Sequence, residues 1–129
     1  MNILERQTDL DFASIEFFDD HVVCTVRENV TIDIDKVVRL HQLYRKHYGE
    51  KKYGYIFDRT ADSTIDPISY MKCPYYPDVT AFAMVAPDIS TKNAIKFEEK
   101  FSQKKLHIFE TVEEAKDWLT HYHEELGMR

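Results

Sequence analysis

Three aspartates that follow a predicted buried strand are the residues of this chain best placed for chemistry. Asp58 ends the apolar run YGYIFD (residues 53–58), and Asp62 and Asp66 follow it at four-residue intervals. Ligands of open parallel sheets bind beyond the carboxyl ends of the strands, and carboxylate oxygens are ligands that Mg²⁺ and Ca²⁺ prefer. The same residues suit a structural role, in which Asp58 accepts hydrogen bonds from loop N–H groups or Arg59, Asp62 is exposed and Asp66 caps a helix. We predict the structural role and no bound metal.

The segment behind these aspartates is rich in hydroxyl and aromatic side chains. Its tyrosines can line an apolar ligand pocket or anchor an interface, or they can cap the core where the second helix is short. Its serine and threonine hydroxyls are phosphorylation sites only if they are exposed. We therefore predict a partner or ligand surface between residues 58 and 76. Its candidate residues are Asp58, Arg59, Asp62, Ser63, Thr64, Ser69, Tyr70, Tyr75 and Tyr76.

Common catalytic and cofactor motifs are missing from the sequence. Three glycines are too few for a glycine-rich phosphate loop. His121 and His123 are two residues apart on a predicted helix, whereas a helical metal pair needs a spacing of three or four. Cys73 has no histidine nearby in the sequence to activate it as a nucleophile. We predict a protein that is not an enzyme and has no cofactor; the alternative is an enzyme that uses Asp58 and Arg59 as an acid–base pair.

Composition and charge limit the class of protein. The chain has 129 residues, 43% of them apolar, which suits one domain. Its formal net charge is −6, which argues against binding to nucleic acid and against binding to an anionic membrane through a basic patch. No run approaches the roughly 20 apolar residues of a spanning helix, so no membrane insertion is predicted. Two cysteines are too few for a disulfide framework, and a reducing cytoplasm is the predicted compartment.

The spacing of apolar residues predicts alternating strands and helices. Residues 1–12 lack a clear period and are predicted to be a loose lead-in before a domain at 13–129. Two short β-rich runs, at 14–18 and 22–27, form a predicted hairpin. The complete predicted order is ββαβαβαβα, an α/β fold with a mostly parallel five-stranded sheet, four helices and the first strand antiparallel at an edge.

Capping residues predict where the helices begin and end. Thr31 is the predicted cap of the first helix and Gly49 its end. Asp66 caps the second helix, with a proline in its first turn. Thr111 and Glu114 form a predicted capping box at the last helix. An apolar stripe follows the box at residues 112, 115, 119, 122 and 126.

With this order, the chain resembles the small STAS-like α/β proteins, which are relatives of bacterial anti-sigma-factor antagonists. They share an architecture with CRAL-TRIO lipid-binding domains. The resemblance covers roughly residues 13–122. The matching segments are VVCTV (22–26), TIDIDKVV (31–38), YIFD (55–58), TAFAMV (80–85) and IFETVEEAKDWL (108–119).

The chain departs from that family at the phosphorylation motif. Anti-sigma-factor antagonists carry an Asp-Ser-Ser-Gly-like motif at the start of the second helix, where this chain reads TIDPIS (64–69). The resemblance implies a non-catalytic protein-binding and regulatory module of bacterial type, with an unidentified protein partner. A homodimer is a further prediction, through an edge strand or the aromatic surface. The alternative that the resemblance implies is a carrier of a small molecule or lipid.

Overall fold

Strands and helices alternate along the chain in the computed structural model, which describes residues 3–128. The strands are β1 Leu4–Asp9, β2 Ala13–Phe18, β3 His21–Val26, β4 Thr31–Ile32, β5 Tyr53–Asp58, β6 Thr64–Ile65, β7 Val79–Val85 and β8 Leu106–Phe109. The helices are α1 Ile34–Tyr48, α2 Pro67–Lys72, α3 Ile89–Glu98 and α4 Val112–Glu125. Two 3-10 turns, Tyr76–Asp78 and Glu99–Phe101, precede β7 and extend α3. Residues 1 and 2 of the predicted lead-in, and residue 129 of the predicted domain, lie outside the described residues.

The main sheet has the order β1-β2-β3-β5-β7-β8. The two pairings within β1-β2-β3 are antiparallel, and the other three are parallel. The predicted α/β fold with a mostly parallel sheet is confirmed, but the sheet has six strands where five were predicted. Residues 4–9 are a strand and not a loose lead-in, so β1 and not β2 is the antiparallel edge. Five of the six residues of β1 are exposed and Thr8 is half-buried, so burial imposes no alternating apolar pattern that the sequence could show.

The start of α1 differs from the prediction. Thr31 lies in β4, which pairs in parallel with β6. The cap is Asp33, whose carboxylate accepts from the N–H of Lys36 at 3.0 Å. Gly49 ends α1 with a φ of 65°, in the left-handed region that favours glycine.

The last helix begins as predicted, and its predicted stripe packs on the core as far as Tyr122 but not at residue 126. The hydroxyl of Thr111 accepts from the N–H of Glu114 at 3.1 Å. The Glu114 carboxylate accepts from the N–H of Glu110 rather than from that of the capping residue. The buried positions are Ala115, Leu119 and His123, while residue 126 is exposed. A strict four-residue spacing therefore places a histidine where the apolar stripe was predicted to continue.

The sheet separates two apolar clusters. Tyr55 and Phe57 of β5 point toward the larger cluster, which also contains Tyr44 of α1. Ile56 points to the opposite face, where it meets Leu119 of α4. This alternation follows from the two-residue period of a strand. No helix among residues 3–128 has the length and apolar character needed to cross a membrane.

Candidate binding site beneath the second helix

Two of the three aspartates that end or follow β5 accept local hydrogen bonds, and the third is exposed. Asp58 Oδ1 accepts from the backbone N–H of Thr60 at 3.0 Å and from its hydroxyl at 2.5 Å. Asp66 accepts from the N–H of Ile68 at 3.0 Å and caps α2, as predicted. Asp62 is exposed. Among residues 3–128, no group of three or more acidic, histidine or cysteine side chains is placed to hold a metal ion.

Arg59 forms a buried ion pair with α3 and no pair with Asp58. Its Nη1 donates to Glu98 Oε1 at 2.7 Å, and the two side chains are 2% and 5% exposed. The Tyr70 hydroxyl donates to the same carboxylate oxygen at 2.9 Å. Burial, and then the neighbouring Glu98 carboxylate, raise the pKa of Tyr70 well above its usual value, so its hydroxyl remains a donor. The cluster joins the end of β5 to α2 and α3.

The three candidate hydroxyls lie in different surroundings. Ser69 is buried, and its hydroxyl donates to the Asp66 carbonyl at 2.6 Å. The Ser63 hydroxyl is also buried, and it has no hydrogen-bond partner within the described residues. Thr64 is exposed on β6. Ser63 and Thr64 border a polar hollow of about 220 Å³ that is also lined by residues 29–31. Phosphorylation of either serine would therefore need a local opening of the fold.

An apolar cavity of about 40 Å³ lies between α1, α2 and the sheet. Ser69, Tyr70 and Tyr76 of the predicted surface line it, and Tyr75 stacks on the lining residue His41 at a ring distance of 5.6 Å. No acid, lysine or arginine from residues 3–128 lines the cavity. The lining residues are Ile32, Val37, His41, Tyr55, Phe57, Ile65, Ser69, Tyr70, Cys73, Tyr76, Phe82, Met84, Ser102 and Gln103.

One residue of the cavity lining, His41, is a buried histidine. Burial lowers its pKa to about 4, and the effects of Asp78 and Arg45 oppose each other. The imidazole is 3% exposed, and its Nδ1 lies 3.4 Å from the hydroxyl oxygen of Tyr53. Burial also raises the pKa of the Cys73 thiol. The cavity wall is therefore uncharged at neutral pH.

A second polar cluster lies at the opposite, amino end of the parallel strands, and the sequence did not reveal it. His123 Nδ1 lies 3.0 Å from Asp20 Oδ2, and His123 Nε2 lies 2.7 Å from the Thr80 hydroxyl. His21 Nδ1 lies 2.7 Å from the other oxygen of Asp20. Burial alone would raise the pKa of Asp20, but hydrogen bonds from both histidines outweigh it and hold this pKa well below its usual range. The available sequence signal for this cluster was the position of His123, which lies four residues after Leu119 and therefore on the same side of the helix.

Local backbone features give this amino-end cluster its geometry. Between the pairs Tyr53–Val79 and Tyr55–Phe82, β7 has one residue more than β5. Thr80 lies in this β-bulge, a feature that re-aims side chains. Gly54 lies opposite on β5, where an added Cβ would approach the side chain of Leu119 to 2.8 Å and that of His123 to 3.3 Å. The glycine thus allows α4 to pack close to the sheet.

Comparison with known proteins identifies the fold. No family model and no curated protein matches this sequence. A crystal structure of an uncharacterised DUF3478-family protein from Shewanella loihica PV-4, which has a SpoIIAA-like fold, superposes with a TM-score of 0.58 over 92% of both chains. The sequence identity is 14%, so the similarity concerns the fold alone. This chain therefore has a STAS-like, SpoIIAA-like α/β fold.

Proposed function

We propose that this protein is a non-catalytic binding module that takes a small, uncharged, apolar ligand in the cavity beneath α2. The observation that carries the proposal is the uncharged, largely aromatic and aliphatic cavity lining. Typical ligand sites combine such walls with a few polar groups that fix orientation. Here Ser69, Ser102, Gln103 and the neutral imidazole of His41 supply those groups.

Ligand entry requires an outward displacement of α2. A cavity of about 40 Å³ is smaller than the ~150 Å³ that accommodates benzene. Helix α2 has only six residues, and its outer side exposes Ile68 and Met71. The Tyr70–Glu98 hydrogen bond joins its inner side to α3. An outward displacement of α2 would break this hydrogen bond.

Native mass spectrometry and a neutral fluorescent probe test this proposal. Freshly purified protein should carry a co-purified ligand, and the emptied protein should bind N-phenyl-1-naphthylamine. Val37→Phe should fill the cavity and weaken probe binding at least tenfold, because Val37 lines it. Val38→Phe is the matched control, since its position on the same helix lies outside the lining. A clean apo mass, or equal probe binding by both variants, would refute the cavity as a ligand site.

A second candidate function is protein binding through the edge strand β1, including assembly into a homodimer. Among the strands of residues 3–128, β1 is the edge and has a neighbour on one side only, and such an edge can accept a strand from another chain. Both cysteines are buried and unpaired, which suits a regulatory protein in a reducing bacterial cytoplasm. Light scattering over a dilution series and a pull-down test it. A strict monomer that captures no partner would count against this role.

A further inference from the structure

Strand β8 is the second edge of the main sheet among the strands of residues 3–128, on the side opposite β1. Its Phe109 carbonyl accepts from the N–H of Ala86, the residue after β7, at 2.9 Å. Successive residues of a strand direct their N–H and C=O groups to opposite sides. Those of Leu106, Ile108 and Glu110 therefore lie on the outer side, away from β7. Such an outer side is a template for a further strand.

Two carboxylates occupy outward donors of this edge. Glu99 Oε2 accepts from the N–H of Leu106 at 2.7 Å, and Glu114 Oε1 accepts from the N–H of Glu110 at 3.1 Å. The acids come from different elements, the 3-10 turn after α3 and the first turn of α4. Within residues 3–128, neither carboxylate lies within 4 Å of a lysine, arginine or histidine side-chain nitrogen. Both are therefore placed by contacts with the main chain at the two ends of β8.

A serine continues this closure ahead of the strand. The Ser102 hydroxyl donates to the Lys104 carbonyl at 2.6 Å and accepts from the Lys104 N–H at 3.2 Å. Side chains thus occupy an outward donor before β8, at its first residue and directly after its last. Ile108 is the outward residue between the two carboxylates. Covering an edge in this way is one means by which proteins prevent a sheet from pairing with another chain.

The side chains of β8 match a second, antiparallel copy of the same strand. Opposite residues of neighbouring strands lie on the same face, so the two-fold axis between identical strands passes through a residue position. With the axis at His107, Leu106 faces Ile108 of the second copy. Both apolar residues belong to the face that packs on the larger cluster. On this face the same register sets Lys104 opposite Glu110 at both ends, whereas an axis at Ile108 would set Leu106 opposite Glu110.

The residue on this axis and the charges at its ends are compatible with pairing. Burial, and then the nearby Lys105, lower the pKa of His107, and Trp118 covers its ring at a centre distance of 4.3 Å. Two neutral imidazoles would therefore meet at the axis without like-charge repulsion. Glu110 is 62% exposed and lies 3.4 Å from Lys92, and a surface pair of this kind is weak enough to be exchanged for another.

We infer that the carboxylates of Glu99 and Glu114 close the β8 edge, and that the strand they exclude is β8 of a second copy of this chain, antiparallel and centred on His107. Opposite charges at both ends, with apolar pairs between them, favour a second copy over a strand of unrelated sequence. The inference does not depend on the ligand proposed for the cavity, and it concerns the edge opposite β1. While the carboxylates are in place, β1 is the edge of the main sheet that remains open among the described strands.

Analytical ultracentrifugation over a dilution series tests the closure. Glu99→Ala/Glu114→Ala removes both acceptors and should dimerise at least about tenfold more tightly than the unmodified chain, because the released N–H groups can donate to the second copy. Glu99→Gln/Glu114→Gln is the matched control: it removes the same two charges but retains an acceptor oxygen at each position, and should associate no more than the unmodified chain.

Three outcomes of this comparison are decisive. Equal association of the two double variants would overturn the inference, because charge and not closure would then control pairing. A folded alanine variant that stays monomeric would overturn it as well. If urea unfolding shows that the alanine variant does not fold, Glu99→Ala alone, which leaves the start of α4 intact, should still dimerise more tightly than Glu99→Gln, and equal association of these single variants would overturn the inference.

Further substitutions in the alanine variant test the register. Ile108→Pro removes an outward N–H at an edge position, where proline is tolerated, and should abolish the dimer. Lys104→Glu should weaken the dimer, and addition of Glu110→Lys should restore it. A dimer that ignores Ile108→Pro, or that the charge exchange does not restore, pairs through another surface, β1 included, and would overturn the inference. None of the substituted positions lines the cavity, so binding of N-phenyl-1-naphthylamine tests the proposed ligand site separately.

Discussion

His123 and Asp20 are 103 residues apart in the sequence, and their side chains are joined by a 3.0 Å hydrogen bond. The second imidazole nitrogen of His123 lies within hydrogen-bond distance of the Thr80 hydroxyl, and the second carboxylate oxygen of Asp20 lies within hydrogen-bond distance of His21. The cluster therefore ties α4 to the turn between β2 and β3 and to the first residues of β7. Both histidines are buried and the Asp20 side chain is 17% exposed, so loss of one partner leaves buried nitrogens unsatisfied.

Asp20→Asn should destabilise the fold by about 1–3 kcal/mol at neutral pH, because the substitution removes an ionised acceptor shared by two histidines. The folded-state pKa of Asp20 is lowered from 3.8. Its stabilising contribution is therefore complete above that unfolded-state value and declines as the pH falls toward the folded-state pKa. The stability difference between the two proteins should shrink accordingly below pH 3.8. Urea unfolding across a pH series measures it.

Asp11→Asn is the matched control, since the Asp11 side chain is 83% exposed and lies 3.9 Å from Arg39. Surface pairs of this kind contribute about 0–1 kcal/mol. Equal effects of the two substitutions would contradict the structural role of the Asp20 cluster.

Gly54→Ala should destabilise the protein by about 1–2 kcal/mol through steric overlap. The new Cβ would lie 2.8 Å from both terminal methyl groups of Leu119, whose side chain is buried. Leu119→Val should therefore cost less in the Gly54→Ala background than in the unmodified protein. Thermal unfolding of the four proteins in this cycle measures the coupling.

Gly49→Ala provides the contrast. A Cβ added at position 49 would meet no neighbouring atom within 4 Å, so the substitution causes no steric overlap. The φ of 65° at this position disfavours alanine, which should lower the free energy of unfolding by roughly 1–2 kcal/mol. Leu119→Val should not change that cost. Additive effects of Gly54→Ala and Leu119→Val would show that the overlap is not the cause.

Periodic burial made most of the fold predictable. Local sequence patterns predicted β5, β7 and the capped helix α4, because burial of one or both faces of each element imposes a pattern of apolar residues. Strand β1 has no buried face, and it is held by main-chain pairing with β2 and by the contact of Glu5 with His47 at 2.9 Å. The cap of α1 moved by two residues because Thr31 joins β4, a pairing with β6 that only the folded chain brings together.

The candidate site was predictable as a segment but not as an arrangement. Asp66 reveals its capping role through the proline that follows it. The ion pair of Arg59 joins residues 39 positions apart, and no local pattern encodes such a distance. The same limit applies to Ser69, Tyr70 and Tyr76, which the fold places around one cavity. The predicted role of this segment as a binding surface stays a prediction.

Removing one partner of the buried Arg59–Glu98 pair should be strongly destabilising. Arg59→Met or Glu98→Gln should each cost about 3–5 kcal/mol, because a buried charge loses its partner. The double variant Arg59→Met/Glu98→Leu should recover much of that loss, since neither charge then remains. Urea unfolding of the single and double variants measures the coupling, and fully additive costs would contradict it.

As the pH falls, protonation of His41 should lower the free energy of unfolding before protonation of Asp20 does. The folded-state pKa of His41 is about 4, below its usual value of 6.5, so the unfolded chain binds an extra proton between these values and stability rises with pH. His41 should therefore account for a loss of about 1 kcal/mol between pH 7 and pH 5.5. His41→Gln should remove this component, whereas His121→Gln, at an exposed position on α4, should retain it. Urea unfolding at the two pH values measures the loss of stability. If His41→Gln lost as much stability between these pH values as the unmodified protein does, the prediction would be contradicted.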